Sequence, residues 1–299
     1  MSGNPTRKAY LFAIVAVLFW STSPTAFKLG LREMEPYQLL TGASIASFAA
    51  LGMILLTGGR IRLLRNVNHR DLLFSMSMGL LNPVFYYLVL FKAYSVLPAQ
   101  VAQPLNMIWP IVLVLISIPM LRQKIRWISI AAMLVSFSGV VLVSLQGGTG
   151  GQNPENRLGI ALALSSSLIW ALYFILNARD RRDPVLRMFL NFGFASLFLL
   201  AGTLLMKGGI PASGKGWAAS TYVGFFEMGI TFVLWVKAMQ LAPTTDRISN
   251  LVYVAPFLNL VIVRLVLNER IFLTTIYGIV LLVAGILLQQ MSKRDATAA

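Results

Sequence analysis

Long apolar stretches alternate with short polar connections along nearly the whole chain. Each stretch contains about 20 residues, which at 1.5 Å per residue in an α-helix matches the ~30 Å hydrocarbon core of a bilayer. We therefore predict an all-α integral membrane protein with ten transmembrane helices. The predicted spans are 9–29, 37–57, 71–91, 99–121, 126–146, 158–177, 185–206, 217–236, 247–267 and 271–290.

The composition agrees with this pattern, since 57% of the 299 residues are hydrophobic and only 12% are charged. Helices that pack into a soluble core keep a polar stripe, whereas segments 111–121, 197–206 and 271–288 are apolar on nearly every side. The N-terminal residues resemble a signal peptide, but the apolar run is too long and lacks a clear cleavage site. We interpret it as a retained first span.

The formal net charge of +15 reflects lysines and arginines in the short loops between spans. Loops on one side of the predicted bundle contain 17 of these residues, and loops on the other side contain 8. Because lysine and arginine are enriched in cytoplasmic loops, we predict a multi-pass protein of a bacterial-type inner membrane with both termini in the cytoplasm. The same distribution is what topology requires, so we predict no nucleic-acid partner.

The chain has no cysteine and one histidine, His69, which lies in a basic loop. Disulfides, thiolate chemistry and histidine-ligated metal sites are therefore excluded or nearly so, and we predict no cofactor. The sequence contains no Walker-type phosphate loop, so this chain does not use ATP directly. An intramembrane enzyme would need clustered catalytic groups, but the 10 acidic residues lie mostly in loops. We predict that the protein is not an enzyme.

The second half of the sequence repeats features of the first. Residues 90–98 (LFKAYSVLP) correspond to residues 235–243 (WVKAMQLAP), an offset of 145. A repeat of five spans has an odd number of crossings, so its two copies insert in opposite orientations. This is the inverted-repeat architecture of many secondary transporters. The predicted repeats are residues 1–149 and 150–299, which form one transmembrane domain over residues 9–290.

Four short segments carry a resemblance to a known family. They are Phe-Trp-Ser-Thr at 19–22, Asn-Met-Ile-Trp-Pro at 106–110, Ile-Trp-Ala-Leu-Tyr at 169–173 and Asn-Glu-Arg at 268–270. Because of these segments, the chain resembles the drug/metabolite transporter (DMT) superfamily in its ten-span form of two EamA-like repeats. The resemblance covers the whole length of the chain. More narrowly, it is similar to YddG-type exporters of aromatic amino acids, which implies export from the cytoplasm. The first half has Gln123 where the second has Glu269, which favours a capping or packing role for Glu269.

Polar side chains in the middle of a span are costly unless they face a cavity or a partner. Glu227 lies about 15 Å deep in the eighth predicted span, and the repeat relates it to Asn82 in the third span. Glu227 is a candidate to meet a substrate ammonium or to accept a coupling proton, and the alternative is a hydrogen bond that joins two helices. Lys28 and Lys92 end spans on the less basic side, where they either snorkel to lipid headgroups or bind a substrate carboxylate.

Aromatic residues are the second signal, because several lie near mid-span rather than at the membrane interface that they usually prefer. Their helical spacing predicts four polar and aromatic faces: one with Trp20, one with Trp170 and Tyr173, one with Asn106 and Trp109, and one with Asn82, Phe85 and Tyr86. Ordinary helix packing is the alternative. The full set of predicted substrate-binding residues is Trp20, Asn82, Tyr86, Asn106, Trp109, Trp170, Tyr173, Glu227 and Tyr253.

The sequence thus predicts a secondary transporter that exports small amphipathic solutes, with aromatic or other hydrophobic amino acids favoured by the resemblance. Apolar walls with a few polar groups suit such ligands. An exchanger of another class, such as nucleotide sugars or drug-like cations, is the alternative, followed by a channel or an intramembrane enzyme. The predicted partners are a small-molecule substrate and the lipid bilayer, with no obligatory protein partner.

Overall fold

The structure is a computed structural model that describes residues 5–121, 127–145, 154–205, 209–211, 213–242, 248 and 250–297. Every regular element within these ranges is helical. The α-helices are α1 (Pro5–Leu31), α2 (Pro36–Thr57), α3 (His69–Gly79), α4 (Tyr86–Val96), α5 (Ala99–Asn106), α6 (Trp109–Leu121), α7 (Trp127–Leu145), α8 (Pro154–Ala178), α9 (Pro184–Leu205), α10 (Gly214–Val223), α11 (Ile230–Leu241), α12 (Ala255–Val266) and α13 (Leu273–Thr297). 3₁₀-helical turns cover Arg60–Asn66 and Asn250–Val254, and π-helical turns cover Leu80–Phe85 and Gly224–Gly229.

Several helices of the described part are long and apolar enough to cross a membrane. There are six, at Pro5–Leu31, Pro36–Thr57, His69–Val96, Pro154–Asn177, Pro184–Leu205 and Gly214–Leu241, and shorter apolar helices occupy Ile130–Val143, Leu251–Val266 and Leu273–Leu288. The predicted all-α membrane fold is confirmed, while the count of ten spans stays a prediction. The predicted repeat junction at 149–150 and the basic loop 122–126 lie outside the described residues.

Helices of the first half of the chain pack against helices of the second half. α2 packs on α9, and α7 packs on α13. α4 packs on α8 and, in the corresponding contact, α11 packs on α1. α5 also contacts α8, just as α12 contacts α1. Two antiparallel copies of one unit would pack in this way, as expected from the repeat of five spans.

Two long helices are interrupted at matching positions. α3 continues into α4 through a π-helical turn at Leu80–Phe85, and α10 continues into α11 through a second one at Gly224–Gly229. The first turn contains Asn82, whose backbone is extended at φ −145° and ψ 116°, and the second contains Glu227. Such turns are frequent at functional sites. The two polar residues related by the repeat therefore lie where the backbone leaves α-helical geometry.

The fourth predicted span differs from the sequence-based expectation. It was predicted as one helix over 99–121, but α5 ends at Asn106 and α6 begins at Trp109. Pro110 has no amide hydrogen, so it cannot donate to the carbonyl of Asn106 four residues earlier. The missing bond explains why the helix restarts at this step.

α7 and α13 approach each other closely through glycines. A Cβ atom on Gly139 would lie 2.5 Å from the carbonyl oxygen of Gly278 and 2.7 Å from the amide nitrogen of Leu282. Neither neighbour is the end of a flexible side chain, so the helices would have to separate. Small residues allow this approach in membranes, where van der Waals packing drives helix association.

We expect Gly139→Ala to destabilise the protein by about 1–3 kcal/mol, because an inserted methyl group overpacks this interface. The measurement is thermal unfolding of the detergent-solubilised protein. Gly202→Ala is the matched control, because Gly202 lies inside α9 where an added Cβ atom would meet no neighbour within 4 Å. Alanine has the higher helix propensity, so this control should not lower the unfolding temperature. Equal unfolding temperatures for the two variants would contradict the packing argument.

Candidate transport cavity

A cavity of about 460 Å³ lies between the two halves of the bundle. Its wall contains residues from α1, α4, α8, α9 and α11 and from both π-helical turns. All nine residues predicted to bind substrate line it: Trp20, Asn82, Tyr86, Asn106, Trp109, Trp170, Tyr173, Glu227 and Tyr253. Residues that lie far apart in the sequence are thus brought to one surface, although their role in binding stays a prediction.

Glu227 is joined to the first half of the chain by a hydrogen bond. The hydroxyl of Tyr87 donates to its carboxylate Oε1 at 3.0 Å, across the boundary between α4 and the Gly224–Gly229 turn. Ser23 of α1 also lies beside this carboxylate. The turn itself is held by Thr231, whose hydroxyl donates to the carbonyl of Phe226. Glu227 therefore has neutral hydroxyl neighbours on the cavity wall.

The aromatic wall is organised around Trp170. Its indole lies 4.9 Å from the ring of Tyr86, 5.6 Å from Tyr173, 5.8 Å from Phe232 and 6.5 Å from Trp109, measured between centroids. These distances are typical of aromatic pairs that stabilise each other. The cluster connects α4, α6, α8 and α11. It gives the cavity a continuous aromatic surface.

The position of Asn106 is fixed by a short hydrogen-bond chain. The Tyr86 hydroxyl donates to Asn106 Oδ1 at 3.2 Å, and Asn106 Nδ2 donates to the Ser166 hydroxyl oxygen at 2.8 Å. Ser166 in turn donates to the carbonyl of Ala163 at 2.6 Å. Asn82 is buried beside Tyr173, and its Oδ1 has no hydrogen-bond partner among the described residues.

One predicted face is wrong. Phe85 was expected beside Asn82 and Tyr86, but its side chain is 54% exposed on the outside of the bundle. The π-helical turn adds a residue to one turn of the helix, so the cavity-facing positions that follow it are Tyr86 and Tyr87. Sequence spacing assumed a regular helix and therefore missed Tyr87. Trp235 was missed as well. The repeat relates Trp235 to Leu90, and both residues line the cavity.

One end of the cavity reaches the loop between α8 and α9, which we call the basic end and define by residues 179–183. Asn177, Pro184 and Arg187 line the cavity there. The Asp180 carboxylate accepts from Arg182 Nη2 at 2.6 Å and from Arg182 Nε at 2.9 Å. Burial acts to raise the pKa of Asp180, but the hydrogen bonds from Arg182 and the positive charges of Arg182 and Arg187 outweigh it and hold the pKa below its ordinary value. The loop is thus tied together by an ion pair.

The opposite end, which we call the far end, is closed by an aromatic plug of Phe27, Phe91 and Tyr94. All three are buried, and the Phe27 ring lies 4.8 Å from Phe91 and 5.2 Å from Tyr94. Lys28 Nζ donates to the carbonyls of Tyr94 at 2.8 Å and Leu97 at 3.0 Å. Lys28 therefore caps the C-terminus of α4, a role that differs from both roles considered from the sequence.

Glu269 completes the closure of the far end. Its two carboxylate oxygens accept from the backbone amides of Ala99 at 2.9 Å and Gln100 at 3.2 Å, at the start of α5. A carboxylate is favoured there by the unpaired amides and by the helix dipole. The predicted capping role of Glu269 is confirmed, but it caps a helix of the first half rather than its own.

An all-helical membrane bundle with a polar and aromatic cavity between two related halves has the architecture of a secondary transporter. The chain belongs to the EamA-like transporter family, whose family model matches residues 7–145 and again residues 157–289. Among the described residues, no group of three or more His, Cys, Asp or Glu side chains is arranged to hold a metal ion.

Several relatives have names that specify a substrate. The chain is 27% identical to an aromatic amino acid exporter, YddG, of Ancylobacter novellus, over 84% of this chain and 86% of that protein. It is 25% identical to a probable terminal-alkyne amino-acid exporter of Streptantibioticus cattleyicolor, over 94% of this chain and 93% of the relative. A solved crystal structure superposes with a TM-score of 0.67 at 22% identity, covering 96% and 98% of the two chains, and supports the fold alone.

Proposed function

We propose that the protein exports aromatic and other large apolar amino acids from the cytoplasm by alternating access. The observation that carries the proposal is the cavity of about 460 Å³, whose aromatic wall surrounds the carboxylate of Glu227. Apolar pockets with a few polar groups suit small amphipathic ligands, and aromatic rings stack on planar side chains and attract an ammonium. The relatives named as amino-acid exporters support the same substrate class.

The shape of the cavity supports the proposed direction. It extends to Arg187 at the basic end, whereas Phe91 and Tyr94 are packed tightly at the far end. The excess of lysine and arginine at the basic end favours a cytoplasmic location for it. With that orientation, we propose that the cavity accepts substrate from the cytoplasm and that export requires the far end to open.

Phosphorylated substrates fit this cavity less well. A nucleotide sugar or a sugar phosphate requires several cationic side chains to neutralise its charge. Among the described residues that line the cavity, Arg187 is the single basic side chain. Zwitterionic amino acids need no such cluster, so the charge of the wall favours them.

We expect purified protein in liposomes to release labelled phenylalanine with saturable kinetics and without ATP. Excess tryptophan or tyrosine should compete, because the aromatic wall contacts a planar side chain whichever ring it carries. Protein-free liposomes measure the background leak. Saturable flux of a nucleotide sugar, with none for any amino acid, would overturn the proposed function.

We expect Glu227→Gln to raise the half-saturating concentration of phenylalanine at least about tenfold, because a hydrogen bond to a charged group contributes roughly 1.5–3 kcal/mol. The amide keeps the shape of the side chain and removes its charge. 3-Phenylpropionate, which has the same ring but no ammonium, is the control substrate and should not lose affinity. Unchanged phenylalanine affinity with loss of pH dependence would instead assign Glu227 to proton coupling.

A further inference from the structure

Two charged side chains face the cavity at different depths. Among the described lining residues, Arg187 is the one basic side chain and Glu227 is the one acidic side chain. Arg187 lies in the first turn of α9 at the basic end, whereas Glu227 lies midway along the segment Gly214–Leu241. The helical rise separates them by roughly 15 Å along the bundle. The cavity wall therefore has a basic residue at its entrance and an acidic residue in its middle.

The contacts of Arg187 include no direct ion pair among the described residues. Its Nη1 donates to the carbonyl oxygens of Asn177 at 3.0 Å and Asp180 at 2.8 Å, which are neutral acceptors. Its Nε is buried and has no hydrogen-bond partner among the described residues. The nearby carboxylate of Asp180 is hydrogen-bonded to Arg182, although the charge of Arg187 also acts on it. The carbonyls thus fix the guanidinium in place without forming an ion pair with it.

We propose that Arg187 is a specificity-determining residue that selects the carboxylate of the substrate at the cavity entrance. The inference rests on the proposed function and extends it to a second position. An α-amino acid carries its carboxylate and its ammonium on one carbon, so it cannot contact Arg187 and Glu227 together. The two residues therefore act in succession, with Arg187 binding first and Glu227 holding the ammonium deeper in the cavity.

The chemistry of both groups supports this order. A guanidinium offers forked donors that match a carboxylate, and a positive charge at a cleft entrance concentrates anionic groups and repels cations. An aromatic monoamine has the ring and the ammonium of phenylalanine but lacks the carboxylate. The entrance therefore discriminates against it, even though Glu227 alone would accept it.

The test compares phenylalanine with phenethylamine in the liposome assay, with transport started from the basic side. We expect Arg187→Gln to lower the preference for phenylalanine over phenethylamine at least about tenfold, by reducing phenylalanine transport and raising amine transport. Glutamine can still donate to the carbonyls of Asn177 and Asp180. Arg187→Lys keeps the charge and should retain most of the preference. Arg181→Gln, at an exposed position of the same loop outside the cavity wall, is the matched control.

The outcomes separate the two levels of the proposal. If Arg187→Gln reduces the transport of phenylalanine and phenethylamine equally, the residue only holds the loop in place. If the preference for phenylalanine is unchanged, the entrance does not recognise the substrate carboxylate. Either result overturns the role of Arg187 and leaves the proposed function standing. If the unaltered protein transports neither phenylalanine nor any other amino acid, the proposed function fails first, and this inference fails with it.

Discussion

Trp170→Ala is expected to lower phenylalanine efflux at least about tenfold while the amount of protein in the membrane stays normal. The indole contacts the rings of Tyr86, Trp109 and Phe232 and forms part of the cavity wall. Each aromatic pair contributes roughly 0.5–1.5 kcal/mol beyond the area that it buries. Truncation removes several such pairs together with the surface on which a planar substrate would stack.

Two further variants separate transport from folding. Trp170→Phe keeps an aromatic ring in the cluster and should retain most of the efflux. Leu168→Ala alters a large side chain of the same helix that is 46% exposed and lies outside the cavity wall, so it should have little effect. Normal efflux by Trp170→Ala would show that the aromatic cluster serves only to pack the helices.

Glu269→Ala is expected to open the far end of the cavity more often. Glu269 lies in the segment that follows α12, and its carboxylate accepts hydrogen bonds from the backbone amides of Ala99 and Gln100. Hydrogen bonds to a charged group contribute roughly 1.5–3 kcal/mol, so their loss would shift the balance between closed and open forms about tenfold or more. In an alternating-access cycle, the closed form of this end would become less populated.

The chain has no cysteine, so a single introduced cysteine can report this opening. Leu90→Cys places a thiol on the cavity wall beneath the aromatic plug. A membrane-impermeant maleimide added from the far side should label it at least about tenfold faster in the Glu269→Ala background. Ser95→Cys, at an exposed position near the end of α4, should be labelled equally in both backgrounds. Equal labelling of Leu90→Cys in the two backgrounds would contradict a closing role for Glu269.

Much of the fold could be predicted from the sequence, because the bilayer imposes a length and a composition on every helix that crosses it. The apolar pattern predicted the membrane helices, and the offset of 145 predicted that Asn82 and Glu227 occupy matching positions. The structure places both in matching π-helical turns. Mid-span tryptophans also indicated the cavity wall, since tryptophan in lipid contact prefers the interface.

Other parts of the site could not be predicted in this way. Tyr87 was missed, and Phe85 was misplaced, because helical spacing holds only while the helix stays regular. A π-helical turn changes the register of every residue that follows it. The break before Trp109 had a visible cause in Pro110, yet the presence of a proline alone does not decide whether a helix bends or restarts.

The amino-acid pattern was sufficient to establish a helical membrane protein built from a repeated unit, because apolar length and internal similarity are properties of the chain alone. Which polar groups meet depended on how the helices pack. Lys28 and Glu269 close one end, and Arg187 enters the cavity wall at the other. The physical reason is that capping and charge pairing act over a few ångströms between residues up to 170 positions apart, and only the packing of the helices sets those distances.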